Sequence, residues 1–306
     1  MNPYILVVGS SNTDMVVKAD RLPGPGETVL GGAFLTAAGG KGANQAVAVA
    51  RLGADVVFVA KVGKDVFGLQ AVELFRKEGI DTSYIVIDEE NPSGVALITV
   101  DSDGENCIVV ASGANANLRR VDLVAAEEKI KNAALVLMQL EIPLETVEYV
   151  AGVAAARGVP VILNPAPART LPDGLLRGLS ILTPNRKEAE MLTGMAIADR
   201  ADAGRAARAL AGKGIKTVIV TLGADGALLL DDGKLDWVTA PLVAAVDTTA
   251  AGDVFCAALT VALSEGRLMR DAVGFACAAA ALSVTKMGAQ PSAPSRSEVD
   301  QFRARL

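Results

Sequence analysis

The chain has 306 residues, 51% hydrophobic and 21% charged, which supplies a large core and leaves too little charge for disorder. Its net charge of -6 makes it a poor candidate for nonspecific nucleic-acid binding, which needs dense Lys and Arg. There is no histidine, which removes Ser-His-Asp hydrolysis, His-ligated zinc and His general bases, and the three cysteines form no C-x-x-C pair.

The first segment, Tyr4–Gly9, is a short apolar strand with no basic flank, so no signal peptide is expected. Val56–Ala60, Leu135–Leu140, Val159–Asn164 and Thr217–Leu222 are likewise apolar on both faces, as buried parallel strands are. Helical patterns cover Ala43–Leu52, Leu69–Glu78, Leu144–Arg157, Ala203–Lys213 and Asp253–Ser264. The alternation predicts a doubly wound α/β domain with a mostly parallel sheet, one unit over 1–306. Residues 13–36 and 93–112 break the pattern with period-two alternation, including a hairpin through Asp101–Gly104. They are expected to form a small projecting sheet with one open face. A long helix from near Arg270 is expected to stop at Pro291–Pro294, with a short one from Glu298. The apolar run Ala276–Val284 is too short for a bilayer, so no membrane contact and a reduced cytoplasm are expected.

Five segments carry chemistry. In Val246–Phe255 (VDTTAAGDVF) a strand is expected to end near Val246, and Ala250, Ala251 and Gly252 then open a helix whose first N–H groups can face an anion. Asp253 in that first turn either caps the helix or accepts a hydroxyl proton beside the anion. In Ala38–Gln45 (AGGKGANQ) Lys41 is followed by Gly42, so this is neither a Walker A loop nor a dinucleotide fingerprint; it is a plain tight turn or a cradle for a polyhydroxylated ligand. Asn12 and Asp14 follow the first strand, and Glu141 follows another, at the edge where α/β sheets bind ligands. Asn185 and Glu188 open a helix as a capping box or as phosphate and Mg²⁺ orienters. Thr221–Gly226 (TLGADG) is a glycine turn that is either a hairpin or a nucleotide cradle.

The ordered strings GSSNTD, AGGKGANQAVA, MQLE, NPAPAR, TPNRKEAEMLTG, TLGADG, VDTTAAGD and GAQPS, spanning about residues 5–303, resemble the ribokinase branch of the PfkB-type carbohydrate kinases. The resemblance implies ATP-dependent phosphorylation of D-ribose at its 5-hydroxyl, with Asp253 as general base and an anion hole at Ala250, Ala251 and Gly252. It implies sugar contacts from Asn12, Asp14, Gly40, Lys41, Asn44 and Glu141. ATP would lie against Asn185, Thr221, Gly223, Asp225, Gly226, Gly252 and Cys277, with Mg²⁺ near Glu188. A monovalent cation, K⁺, would sit among Asp247, Thr249, Ser283, Lys286, Gly288 and Ser292, some through carbonyls. The small sheet would serve as a lid and as a homodimer surface. Alternatives of the same family act on deoxyribose, fructose or a nucleoside; outside catalysis the chain would be a silent sugar or nucleotide sensor.

Overall fold

A computed structural model describes residues 3–306. The strands are β1 Tyr4–Val8, β2 Asn12–Lys18, β3 Phe34–Gly39, β4 Asp55–Gly63, β5 Asp81–Asp88, β6 Gly94–Val100, β7 Asn106–Ala111, β8 Leu135–Met138, β9 Val161–Leu163, β10 Ile181–Leu182, β11 Thr217–Thr221, β12 Ala227–Asp231 and β13 Lys234–Val238. The helices are α1 Lys41–Arg51, α2 Val66–Lys77, α3 Arg120–Leu123, α4 Glu127–Asn132, α5 Leu144–Ala155, α6 Asp173–Arg177, α7 Arg186–Thr193, α8 Arg200–Ala211, α9 Ala251–Ser264, α10 Met269–Ser283 and α11 Arg296–Arg303.

Nine strands form the main sheet in the order β13-β12-β11-β10-β9-β8-β1-β4-β5, parallel except for the antiparallel edge β12 and β13. Side chains alternate across β1. Ile5 and Val7 belong to the core that α1, α9 and α10 complete, whereas Leu6 and Val8 belong to the core on the other face that α5 and α8 complete. Each face of the sheet is therefore sealed by helices, which is why these strands read as continuous apolar runs. The winding direction reverses between β1 and β8. Their carboxyl ends open a crevice there, the place where such sheets bind ligands.

The two alternating regions do form one separate sheet, ordered β3-β2-β6-β7. Its register corrects the expected single open face. Residues opposite each other share a face, so Asp14 lies with Val16, Leu35, Ile98, Ile108 and Val110, while Val17, Phe34, Leu97 and Val109 occupy the other side. Both faces are apolar, and β7 is exposed along its whole length. The periodicity was that of a strand, but its polar positions are too few to give one side to water.

Two boundaries also differ from expectation. No strand ends near Val246; residues 239–250 are an irregular loop tied to the main chain at Val284 by the Val246 N–H at 2.7 Å. The long helix α10 stops at Ser283 rather than at Pro291, and residues 284–295 wrap back toward Asp247. Among the described residues no helix is long and apolar enough to cross a membrane.

Candidate active site

The start of α9 is built around strain. Ala250 adopts a left-handed conformation, φ 59°, which costs a non-glycine residue roughly 1–2 kcal/mol. Its role is to turn the chain abruptly into the helix. The Ala251 N–H is taken by Thr248 O at 3.3 Å and the Val254 N–H by Ala250 O. The N–H groups of Gly252 and Asp253 have no backbone acceptor among the described residues. Among residues 250–253 only the Ala251 N–H has a backbone acceptor, and that contact is long. Free amides at the positive end of a helix attract an anion.

The Asp253 side chain does not cap its helix; Ala250 is the N-cap and no side chain bonds there. Its Oδ2 accepts from Asn44 Nδ2 and its Oδ1 from Gln45 Nε2, each at 3.0 Å. The residue is 4% exposed, and burial pushes its carboxyl above the ordinary range, against the opposing pull of Lys41 and the two amides. A buried carboxylate raised in this way and held by neutral amides is not a helix cap.

The glycine turn before α1 delivers Asn44 and Lys41 to this carboxylate. Gly40 caps α1 at φ 88°, and a Cβ there would lie 2.7 Å from the Asn12 nitrogen. Only glycine lets the turn rest on the chain leaving β1. Glu141 Oε2 then accepts the Lys41 N–H at 3.0 Å and the Ser10 hydroxyl, tying the ends of β1 and β8 to the turn. The Lys41 ammonium is held charged by Asp253, with Glu141 and Glu188 adding to it, and makes no ion pair with a neighbour among the described residues. Asn44 Oδ1 is buried and has no donor, so the site presents a free acceptor beside a base. Asp14 abuts Gly39, and burial, then Glu141, raises its carboxyl to about 6.

Asn115 escaped the sequence reading. It grips Ser11 through both backbone groups and donates to Asn12 Oδ1 at 2.8 Å, which turns the Asn12 amide nitrogen free. An asparagine in the string SGANAN carries no pattern that marks it.

A cavity of about 210 Å³ adjoins Asp253, bordered by Lys41, Thr183, Asn185, Thr221 and Gly252. Asn185 and Glu188 do form a capping box on α7: Asn185 Oδ1 accepts the Glu188 N–H, and both Glu188 oxygens accept from Asn185. Burial raises Glu188 as well. The Thr221–Gly226 segment is a hairpin turn between β11 and β12, with Gly223 and Asp225 in a short 3-10 turn and Gly226 pressed on Val238 O. Asp225 is exposed, and its carbonyl accepts from Trp237.

The sequence matches the model of the pfkB family of carbohydrate kinases over residues 2–296. The chain belongs to that family. A ribokinase of Haemophilus influenzae is 46% identical, with 99% of each chain covered. A deoxyribokinase of Salmonella typhi is 37% identical, covering 97% of this chain and 98% of its own. The solved structure of Arabidopsis thaliana ribokinase complexed with ribose and ATP superposes with a TM-score of 0.94, at 37% identity and 99% coverage of both chains.

In this pfkB-family kinase the loops flanking α9 and α10 close on each other. Asp247 Oδ1 accepts the Thr249 N–H at 2.9 Å and Oδ2 the Gly288 N–H at 2.8 Å. Those bonds hold the Asp247 carboxyl low despite burial. Ser283 and Ser292 are buried and donate their hydroxyls to Ala280 O and Ala289 O. Lys286 turns its ammonium outward to Glu298 at 2.7 Å, which leaves only its carbonyl for the loop. Cys277 lies in the apolar cluster on α10, its thiol pushed up to about 12 by burial.

Proposed function

We propose that this pfkB-family chain transfers the γ-phosphoryl group of ATP to the 5-hydroxyl of D-ribose, yielding ribose 5-phosphate and ADP. One observation carries the reading: a buried Asp253 carboxylate, gripped by two neutral amides, lies in the same helical turn as free amides that can hold a phosphate. The ribokinases of high identity supply the substrate class.

In this reading Asn12, Asp14, Gly40, Lys41, Asn44 and Glu141 hold the sugar, and the unpaired Asn44 Oδ1 accepts a hydrogen bond from one of its hydroxyls. An alcohol is far weaker as an acid than an aspartic carboxyl, near 3.9 unperturbed. Asp253 therefore orients the hydroxyl and accepts its proton late, as the new O–P bond forms and the bridging P–O bond to ADP breaks. The amides of Gly252 and Asp253, with Lys41, meet the charge that spreads over the transferring group. Asn185 and the Thr221–Gly226 turn would line the nucleotide side; Cys277 is buried in the α10 core and would meet the base only through its neighbours.

Glu188 would hold a Mg²⁺ ion close to the phosphates, where its charge would offset theirs. Glu188 suits it through a water, because both of its oxygens are engaged by Asn185. The oxygen-only set of Asp247, Thr249, Ser283, Lys286, Gly288 and Ser292 suits a large monovalent cation such as K⁺. The small sheet would close over the sugar with its Asp14 face and pair with a second copy through its Phe34 face. Free thiols and ATP use favour a cytoplasmic setting.

ATP consumption across D-ribose, 2-deoxyribose, fructose, adenosine and a sugar-free blank tests the reading. Turnover greatest on ribose supports it. Preference for 2-deoxyribose would move the chain to the other relative's substrate, and ATP binding without turnover on any acceptor would make it a sensor.

A further inference from the structure

The grip on Asp253 extends beyond the residues that face the ligand. Gln45 sits behind Asn44 on α1 and is fully buried. Its Nε2 donates to Asp253 Oδ1 at 3.0 Å and reaches Asn164 Oδ1 at 3.4 Å. Its Oε1 accepts from Nε2 of Gln139, a second fully buried amide just past the end of β8. Gln139 Oε1 has no donor, and it presses on Gly9 so closely that a Cβ there would stand 2.0 Å away.

We infer that Gln139 and Gln45 form a buried amide relay that sets the direction of the Asp253 carboxylate, making both of them positioning residues for phosphoryl transfer. The chemistry is directional. An amide offers donors at one end and an acceptor at the other. With its oxygen held by Gln139, Gln45 can present only N–H to Asp253. Without that hold, Gln45 is free to turn its oxygen toward the carboxylate. Two neutral amides fix a carboxylate without neutralising it, which an arginine or lysine at either position would do. Leaving Gln139 Oε1 unpaired in the interior is unfavourable, and the relay gives that residue a role which packing alone would fill better with leucine.

The inference rests on Asp253 as the base, and the experiment separates the two. Turnover, sugar affinity by calorimetry and the pH profile of kcat are compared for Gln139→Met, Gln139→Glu and Asp253→Asn. In Gln139→Met we expect kcat to fall about tenfold with sugar and ATP affinities within about twofold, the pattern of an interaction that matters in the transition state. The acid limb of kcat moves to higher pH, because the Gln45 bond works to lower Asp253 against burial and against Glu141, alongside Lys41 and Asn44 on α1. Glu188 on α7 and Cys256 on α9 keep their own surroundings in these variants. Gln139→Glu donates to Gln45 only while protonated, so its turnover relative to the parent falls as pH rises. An unchanged kcat and acid limb in Gln139→Met, or a flat ratio in Gln139→Glu, overturns the relay while Asp253→Asn remains inactive. An active Asp253→Asn overturns the base itself.

Discussion

Asn44 Nδ2 donates to Asp253 Oδ2 at 3.0 Å, while the other end of the same amide, Oδ1, is buried and unpaired. In the proposed reading one side chain thus meets the Asp253 base with its donor and offers its acceptor to the sugar. Replacing Asn44 by Leu removes both at once. Hydrogen bonds to charged groups contribute about 1.5–3 kcal/mol each, so kcat/KM for the sugar is expected to fall by roughly 10–200-fold. Steady-state kinetics with ATP saturating checks this, and ATP affinity should be untouched.

Asp253→Asn keeps the shape and loses the proton acceptor. Turnover is expected to drop by about three orders of magnitude or more, with ATP still bound and circular dichroism unchanged. Near-parental turnover in the folded variant would remove Asp253 from the proposed chemistry.

Asp14 gives a pH signature with opposite signs in two measurements. Its carboxyl is raised from 3.8 to about 6. Below that pH it is protonated and a poorer acceptor for sugar hydroxyls, so kcat/KM should decline as pH falls through about 6. Stability runs the other way. Between 3.8 and about 6 the native state holds a proton that the unfolded chain has lost, so this group's stabilising effect is present in acid and disappears as pH rises through about 6. Asp14→Asn is therefore expected to weaken sugar binding yet raise the ligand-free melting temperature at pH 7.5. Scanning calorimetry with and without sugar reads both.

Asp247 joins Thr249 to Gly288, so it shapes the loop even before any cation binds. In Asp247→Ala the dependence of rate on K⁺ concentration is expected to flatten, with kcat at high K⁺ reduced about tenfold or more as α9's anion hole loses its support. A parental K⁺ titration curve would place the cation elsewhere.

The second apolar face of the small sheet holds Phe34 and Val109, each 62% exposed, with Leu97 across the ladder. Two like charges introduced as Phe34→Glu and Leu97→Glu should convert a dimer to a monomer in sedimentation. A parental chain that is already monomeric at micromolar concentration rules out that use of the face.

Much of the architecture is written in side-chain periodicity. Ile5 to Val8 are apolar on both faces because helices cover both, and the string itself says so. Gly40 marks a backbone approach that any side chain would obstruct, whereas a Cβ at Gly252 would meet nothing. Other features leave no such trace. Val246 looks like a strand end because it is β-branched, yet its N–H goes to Val284 O in an irregular loop. Glu188 reads in the string as a metal orienter or as a box partner, and that both of its oxygens accept from Asn185 is visible only in three dimensions. Gln45 and Gln139 stand 94 residues apart, and their pairing depends on α1 crossing the end of β8, which no local pattern encodes.

The small sheet is continuous with the ligand loops: β2 begins at Asn12, β3 ends at Gly39 beside the Gly40 turn, and β6 begins at Gly94 against Asn12. Any ligand that shifts those roots must swing the strands that grow from them. Cys107 rides on the far strand β7 and is the one exposed thiol, since Cys256 and Cys277 are buried. The native chain thus carries a single attachment point for a thiol-reactive dye, on the sheet proposed to close over the sugar. Its optical signal would convert occupancy of the pocket into a stopped-flow trace without altering a single codon.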